Sequence, residues 1–181
     1  LYTFQANNEF KVDVTGRFIR PLTHKLSVPM KGITIVFKPL GINFFCDKPF
    51  YEIVPNIWAE FPFWDMKSDE LEELIDLQDV SEIGKKLDAI LLSFYRPFEN
   101  KILFETLSLL HDNYADYNVE QIAEKIGVSR KTLLRQFKKH LGVSMTDYRR
   151  ILRFRDAIKL HQGKDETLTK IAYETYFCDQ S

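Results

Sequence analysis

Between Ser129 and Lys159 the chain holds ten lysines and arginines against two acids, Asp147 and Asp156, in a protein whose net charge is −1. Guanidinium and ammonium groups are standing hydrogen-bond donors with no acceptor, and they suit a polyanion rather than bond making. Duplex DNA is the first candidate partner for such a run. Signs of catalysis are few. There is no Gly-rich phosphate loop, no Gly-x-Ser-x-Gly and no His-Glu-x-x-His, and His24 is the single histidine before position 111. Cys46 and Cys178 stand far apart without Cys-x-x-Cys spacing, which suits reduced thiols in a cytoplasmic protein. The expectation is a protein that is not an enzyme and uses no cofactor or metal.

The elements that must position these cations follow from periodicity. Asn118 with Gln121 three residues on forms a capping box, and Val119, Ile122, Ala123 and Ile126 line one face of the helix it opens. Gly127 supplies a turn residue free to take positive φ, and Ser129 caps the next helix. In that helix Leu133, Phe137 and Leu141 face inward. Arg130, Lys131, Thr132, Arg135, Gln136, Lys138 and Lys139 are left outward. An eight-residue helix with a central alanine, a glycine turn and a Ser-capped basic helix make a helix-turn-helix signature. An ordinary helical hairpin would mix charges on its solvated face, whereas no Asp or Glu occurs between Arg130 and Thr146. Ser144 and Asp147 form a further capping box. It opens a long helix in which Arg149, Arg150, Arg153 and Arg155 alternate with apolar positions until Gln162-Gly163. A weak internal repeat follows: Ile122-Ala123 recurs as Ile171-Ala172, and Tyr176 takes the place of Gly127.

On these residues the second half resembles the DNA-binding domain of AraC-type transcription regulators. The pattern runs through Ile122-Ala123, Gly127-Val128-Ser129, Leu133, Phe137-Lys138, Gly142, Ser144, Tyr148, Arg153, Ala157, Ile171-Ala172 and Phe177-x-Asp179-Gln180-Ser181. The likeness covers about residues 108–181. It implies two helix-turn-helix units joined by a long helix, with the first recognition helix in the major groove. It matches Lys131, Leu134 and Arg135 to base-facing positions, Arg135 to a guanine edge, and Leu134 either to a thymine methyl or to the core beside Leu133. Lys138, Lys139 and Arg149 or Arg150 fall where phosphates are held. Arg153 is either another phosphate contact or a structural tie. Tyr176 departs from the family's glycine, so a strained turn is expected there. The chain stops at Ser181, where a second recognition helix is expected to begin, and it starts at Leu1 rather than Met, as a fragment would. A single reading head is therefore expected.

The first half reads differently. Residues 1–111 carry 12 basic and 16 acidic side chains, and 112–181 carry 13 and 10. Phe10, Val12 and Val14 alternate with polar residues before Gly16, and Ile33, Ile35 and Phe37 do so before Pro39, giving two or three strands. Gly41 to Cys46 reads as a short helix. Aromatics crowd Phe50 to Trp64, as either a domain core or a pocket for an apolar effector. The acidic run from Asp65 to Glu82 reads as a solvated helix face. Ser81 reads as the cap of a helix that Pro97 stops, and a second helix spans about Phe98 to His111. These two helices suit sheet packing, a bridge between domains, or a dimer interface. Phe37-Lys38-Pro39-x-Gly41 also resembles the N-terminal domain of some regulators of that family.

The reading is an α+β chain: a small β-containing N-terminal domain over 1–97 that senses an effector or forms a homodimer, a connecting helix over 98–111, and an all-α tandem helix-turn-helix domain over 112–181 with its second unit incomplete. Double-stranded DNA is the expected partner. The rival reading is a sensor or protein-interaction module with a vestigial DNA-binding head. No run reaches the eighteen or so apolar residues of a membrane span.

Overall fold

A computed structural model describes residues 2–6, 9–16, 31–54, 58–60, 68–114, 117–163 and 167–176. It is mostly helical, with short strands confined to the N-terminal part. The chain divides into two compact units: unit 1 is Leu1–Glu99 with Lys139–Gly142, and unit 2 is Asn100–Lys138 with Val143–Ser181.

Unit 1 contains a four-stranded antiparallel sheet of β1 (Tyr2–Ala6), β2 (Glu9–Thr15), β3 (Lys31–Thr34) and β4 (Trp58–Glu60), in the order β3-β1-β2-β4. Tyr2 pairs with Asp13 on one side and Thr34 on the other, and Val14 pairs with Ala59. The alternation read at Phe10–Val14 is β2. The pattern read at Ile33–Phe37 is a strand only to Thr34. Beyond it Ile35 and Phe37 still pack on the core, while Val36 between them is 86% exposed. Alternation of burial outlasts the ladder because it needs a core on one side and no hydrogen-bonding neighbour.

Gly41–Phe44 forms a single 3₁₀ turn, and α1 is the short helix Phe50–Ile53. The acidic run becomes α2 (Ser68–Asp76), which buries Leu71, Leu74 and Ile75 and leaves Asp69, Glu70, Glu72, Glu73 and Asp76 exposed. The next helix, α3 (Val80–Phe94), is capped by Asp79 rather than Ser81. The Asp79 carboxylate accepts from the Ser81 amide at 2.8 Å, so Ser81 is the second helical residue. An acid there also suits the positive end of the helix. The helix stops at Tyr95, two residues before Pro97, where the chain turns extended as residues ahead of proline tend to. Val14, Ile42, Cys46, Phe50, Ile53, Val54, Leu71, Leu74 and Ile90 form the core of this unit. Burial pushes the Cys46 thiol up to about 12, so it stays protonated and inert at neutral pH. Of the aromatic stretch, Phe50 is core and Tyr51 is partly exposed. Phe61, Phe63 and Trp64 lie outside the described residues.

Unit 2 is helical: α4 (Lys101–Asn113), α5 (Val119–Ile126), α6 (Arg130–Leu141, as far as Lys138), α7 (Met145–Gly163) and α8 (Leu168–Glu174). The helix expected as a connector, α4, starts one residue after its cap Asn100 and buries Leu103, Thr106, Leu107 and Leu110 at helical spacing. The expected capping box at Asn118 and Gln121 is formed in both directions at 2.8 Å. At α7 the Ser144 hydroxyl accepts from the Asp147 amide and donates to its carboxylate. Ile122, Ala123, Leu133, Phe137, Met145, Tyr148, Leu152 and Ile171 complete the core. Phe154 and Ile158, two of the apolar residues of α7, are exposed on it.

The internal repeat extends to the backbone. Gly127 ends α5 at φ 76°, and Tyr176, two residues after α8, stands at φ 56°. The left-handed region is nearly free for glycine and costs other residues about 1–2 kcal/mol. Tyr176 is over half exposed and, among the described residues, makes one edge-on ring contact, with Tyr114 at 6.5 Å, too little to offset that strain fully. Opposite substitutions at the two turns should therefore shift stability in opposite directions. Gly127→Ala, where an added methyl meets nothing within 4 Å, is expected to destabilise by about 1 kcal/mol through conformation alone. Tyr176→Gly is expected to stabilise by somewhat less than 1 kcal/mol. Urea unfolding of both variants checks this, and equal signs would refute it.

Candidate nucleic-acid interface

The face that α6 offers to solvent is set by the face it buries. Leu133 and Phe137, one turn apart, are fully buried, and the Phe137 ring meets the Tyr148 ring of α7 edge-on at 5.5 Å. At about 100° per residue, Lys131, Arg135, Lys138 and Lys139 share an arc of about 100° centred opposite those two side chains. All four are exposed. No acid lies on α6, including its first turn, so its helix N-terminus adds positive potential rather than cancelling it.

The sequence-predicted residues do not all stand alike. Arg130 lies off the stripe, its Nε 2.7 Å from the Glu120 carboxylate of α5, with both side chains more than half exposed. Thr132 belongs to the helix start: its amide donates to the Ser129 hydroxyl at 3.1 Å, which itself donates to the Thr132 hydroxyl. Leu134 is half-buried, between the stripe and the core. Gln136 is half-buried too, and its Oε1 accepts from Asn100 Nδ2 at 3.2 Å.

The arginines of α7 divide similarly. Arg150 is exposed, 3.7 Å from Asp147. Arg149 is half-buried and donates through its Nη2 to the Tyr117 carbonyl, tying α7 to the segment before α5. Loss of water around it, and then the neighbouring charge of Arg153, lower its pKa. Both Arg149 and Arg153 have a buried Nε without a hydrogen-bond partner among the described residues. Of the pair weighed for phosphate contact, Arg150 is the one with its cation in water.

Two participants were missed by sequence reasoning. Asn100 carried a local signal, an Asn before an apolar helical run and after a proline, although the helix was read from Phe98. The Tyr117 carbonyl carried none, since main-chain acceptors look alike at every position. His111 on α4 is a third link, its Nε2 lying 3.3 Å from the Tyr148 hydroxyl.

Unit 1 holds an open cavity of about 350 Å³ whose walls include Val14, Ile35, Phe37, Leu40, Ile42 and Phe50. Among the described residues no cluster of His, Cys, Asp and Glu could hold a metal ion, and no helix is long and apolar enough to cross a membrane.

Comparison with known proteins bears on unit 2. The helix-turn-helix domain family matches residues 122–181. The HTH-type transcriptional activator RhaS of Escherichia coli O139:H28 (strain E24377A / ETEC) is 36% identical over 76 residues, covering 41% of this chain and 27% of that protein. The chain thus aligns with about a quarter of the length of that relative. No solved structure matches. The glycine turn, the capped basic helix and the repeat after α7 all lie within the matched stretch, so residues 122–181 carry a helix-turn-helix domain.

Proposed function

We propose that the chain is a sequence-specific transcription regulator that lays α6 in the major groove of double-stranded DNA. The observation that carries this reading is the stripe of Lys131, Arg135, Lys138 and Lys139, exposed together opposite the buried Leu133 and Phe137. A guanidinium forks onto the O6 and N7 of guanine, so Arg135 reads a base. Lys131 reaches guanine or a phosphate, and Leu134 meets a thymine methyl. Lys138, Lys139 and Arg150 hold phosphates, which set register and supply salt-dependent affinity. RhaS is named a transcriptional activator, which supports DNA as the partner without deciding activation or repression here. Unit 1, with its own core and cavity, is the regulatory part, taking a small apolar effector or a second copy of the chain. A DNA partner puts this work in the cytoplasm of a bacterial cell.

Binding to a duplex selected from a random pool tests the reading. Arg135→Ala should lose about 1–3 kcal/mol on the selected site and relax preference at one base pair. Lys138→Ala should weaken every sequence alike and flatten the slope of log K against log salt by about one unit. Unchanged discrimination in the first variant, or a sequence-selective loss in the second, would exchange or remove these roles. Binding indifferent to salt would overturn the proposal.

A further inference from the structure

Asn100 does two things at once. Its Oδ1 accepts from the Leu103 amide at 3.2 Å, capping α4, and its Nδ2 donates to Gln136 Oε1 at 3.2 Å on α6. The two residues lie 36 positions apart, and both are half-buried. The polarity of this bridge is forced. A backbone N–H only donates, so the Asn100 atom facing Leu103 must be the oxygen and the other must be the NH₂ group. The Gln136 atom facing that NH₂ must then be an oxygen. A glutamine that reads adenine needs both ends of its amide, the oxygen for N6–H and the nitrogen for N7. Asn100 already takes one of the oxygen's two acceptor positions and holds that end of the amide turned toward the start of α4. Helical geometry agrees, since Gln136 stands about 110° around α6 from the middle of the cationic stripe.

We infer that Asn100 is a positioning residue for the DNA-reading helix, holding α6 at one roll angle through Gln136 and removing Gln136 from base recognition. The inference rests on the reading of α6 proposed above. Leu133 and Phe137 fix how deeply α6 sits, but apolar contact is non-directional and tolerates some rotation about the helix axis. A hydrogen bond has a preferred length and angle, so this one opposes that rotation. The roll of α6 decides whether Arg135 meets a guanine edge squarely.

The test uses the 181-residue chain, a duplex selected by the wild type from a random pool, and all single-base-pair variants of that duplex. Asn100→Ser keeps a capping oxygen for α4 and loses the arm that reaches Gln136, so folding is preserved. Gln136→Ala removes the bridge from the other side. Each is expected to weaken binding about 2- to 10-fold, the worth of one hydrogen bond, and the double variant no further. Both should blunt discrimination at the guanine read by Arg135. Gln136→Glu keeps an acceptor facing Asn100 and should retain the wild-type ranking of base pairs while binding more weakly overall. Additive losses in the double variant, or erasure of preference at one A·T pair by Gln136→Ala alone, would overturn the inference and leave the reading of α6 intact. A wild type that selects no duplex would overturn that reading, and the inference with it, before any variant is made.

Discussion

A helix of twelve residues has one side to bury, and the choice of side on α6 governs everything else about this protein. Burying Leu133 and Phe137 is worth roughly 1.5–3 kcal/mol each. The ion pair that Arg130 makes with Glu120 is exposed at both ends and is worth at most about 1 kcal/mol. Apolar burial therefore decides which side of the helix faces the core, and electrostatics follows from it. The lysines and Arg135 face water because the opposite side is taken. Their clustering then creates a field that none of them would have alone.

Around that helix, unit 2 is held by directional contacts at its edges. Asn118, Ser129, Ser144 and Thr167 each open a helix by accepting from an amide three residues on. Tyr148 is the side chain that several elements share: its ring meets Phe137 of α6, and its hydroxyl faces His111 of α4. Burial raises its pKa, so the hydroxyl stays protonated and able to donate. The first turn uses glycine for its left-handed residue, whereas the second asks a tyrosine to take the same backbone angle. The two turns of the repeat thus share a left-handed backbone geometry with different residues in it.

Much of this could be read from residues. Asn118 with Gln121, Gly127 and Ser129 specify a helix, a turn and a helix, because caps and positive-φ turns act within four residues. The i, i+4 spacing of Leu133 and Phe137 placed them inside. The acidic face of α2 was legible for the same reason, its apolar members falling on one side. Errors came where a local pattern had two readings. Ser81 and Asp79 both look like caps, and the acid two residues earlier holds the position. Ile33 to Phe37 alternates like a strand, yet its ladder ends at Thr34.

The sequence by itself determined the helix-turn-helix of α5 and α6, the caps of α5 and α7, and which charges α6 carries, since propensity, capping and hydrophobic period are properties of neighbouring residues. Tertiary structure alone decided which of those charges stay in water. Arg149 and Arg150 are adjacent and chemically identical, yet one is half-buried against the Tyr117 carbonyl and the other is exposed. Gln136 has the composition of a base reader and is held by Asn100. Such assignments depend on partners more than thirty residues away, which meet only when helices pack, and no local spacing encodes them.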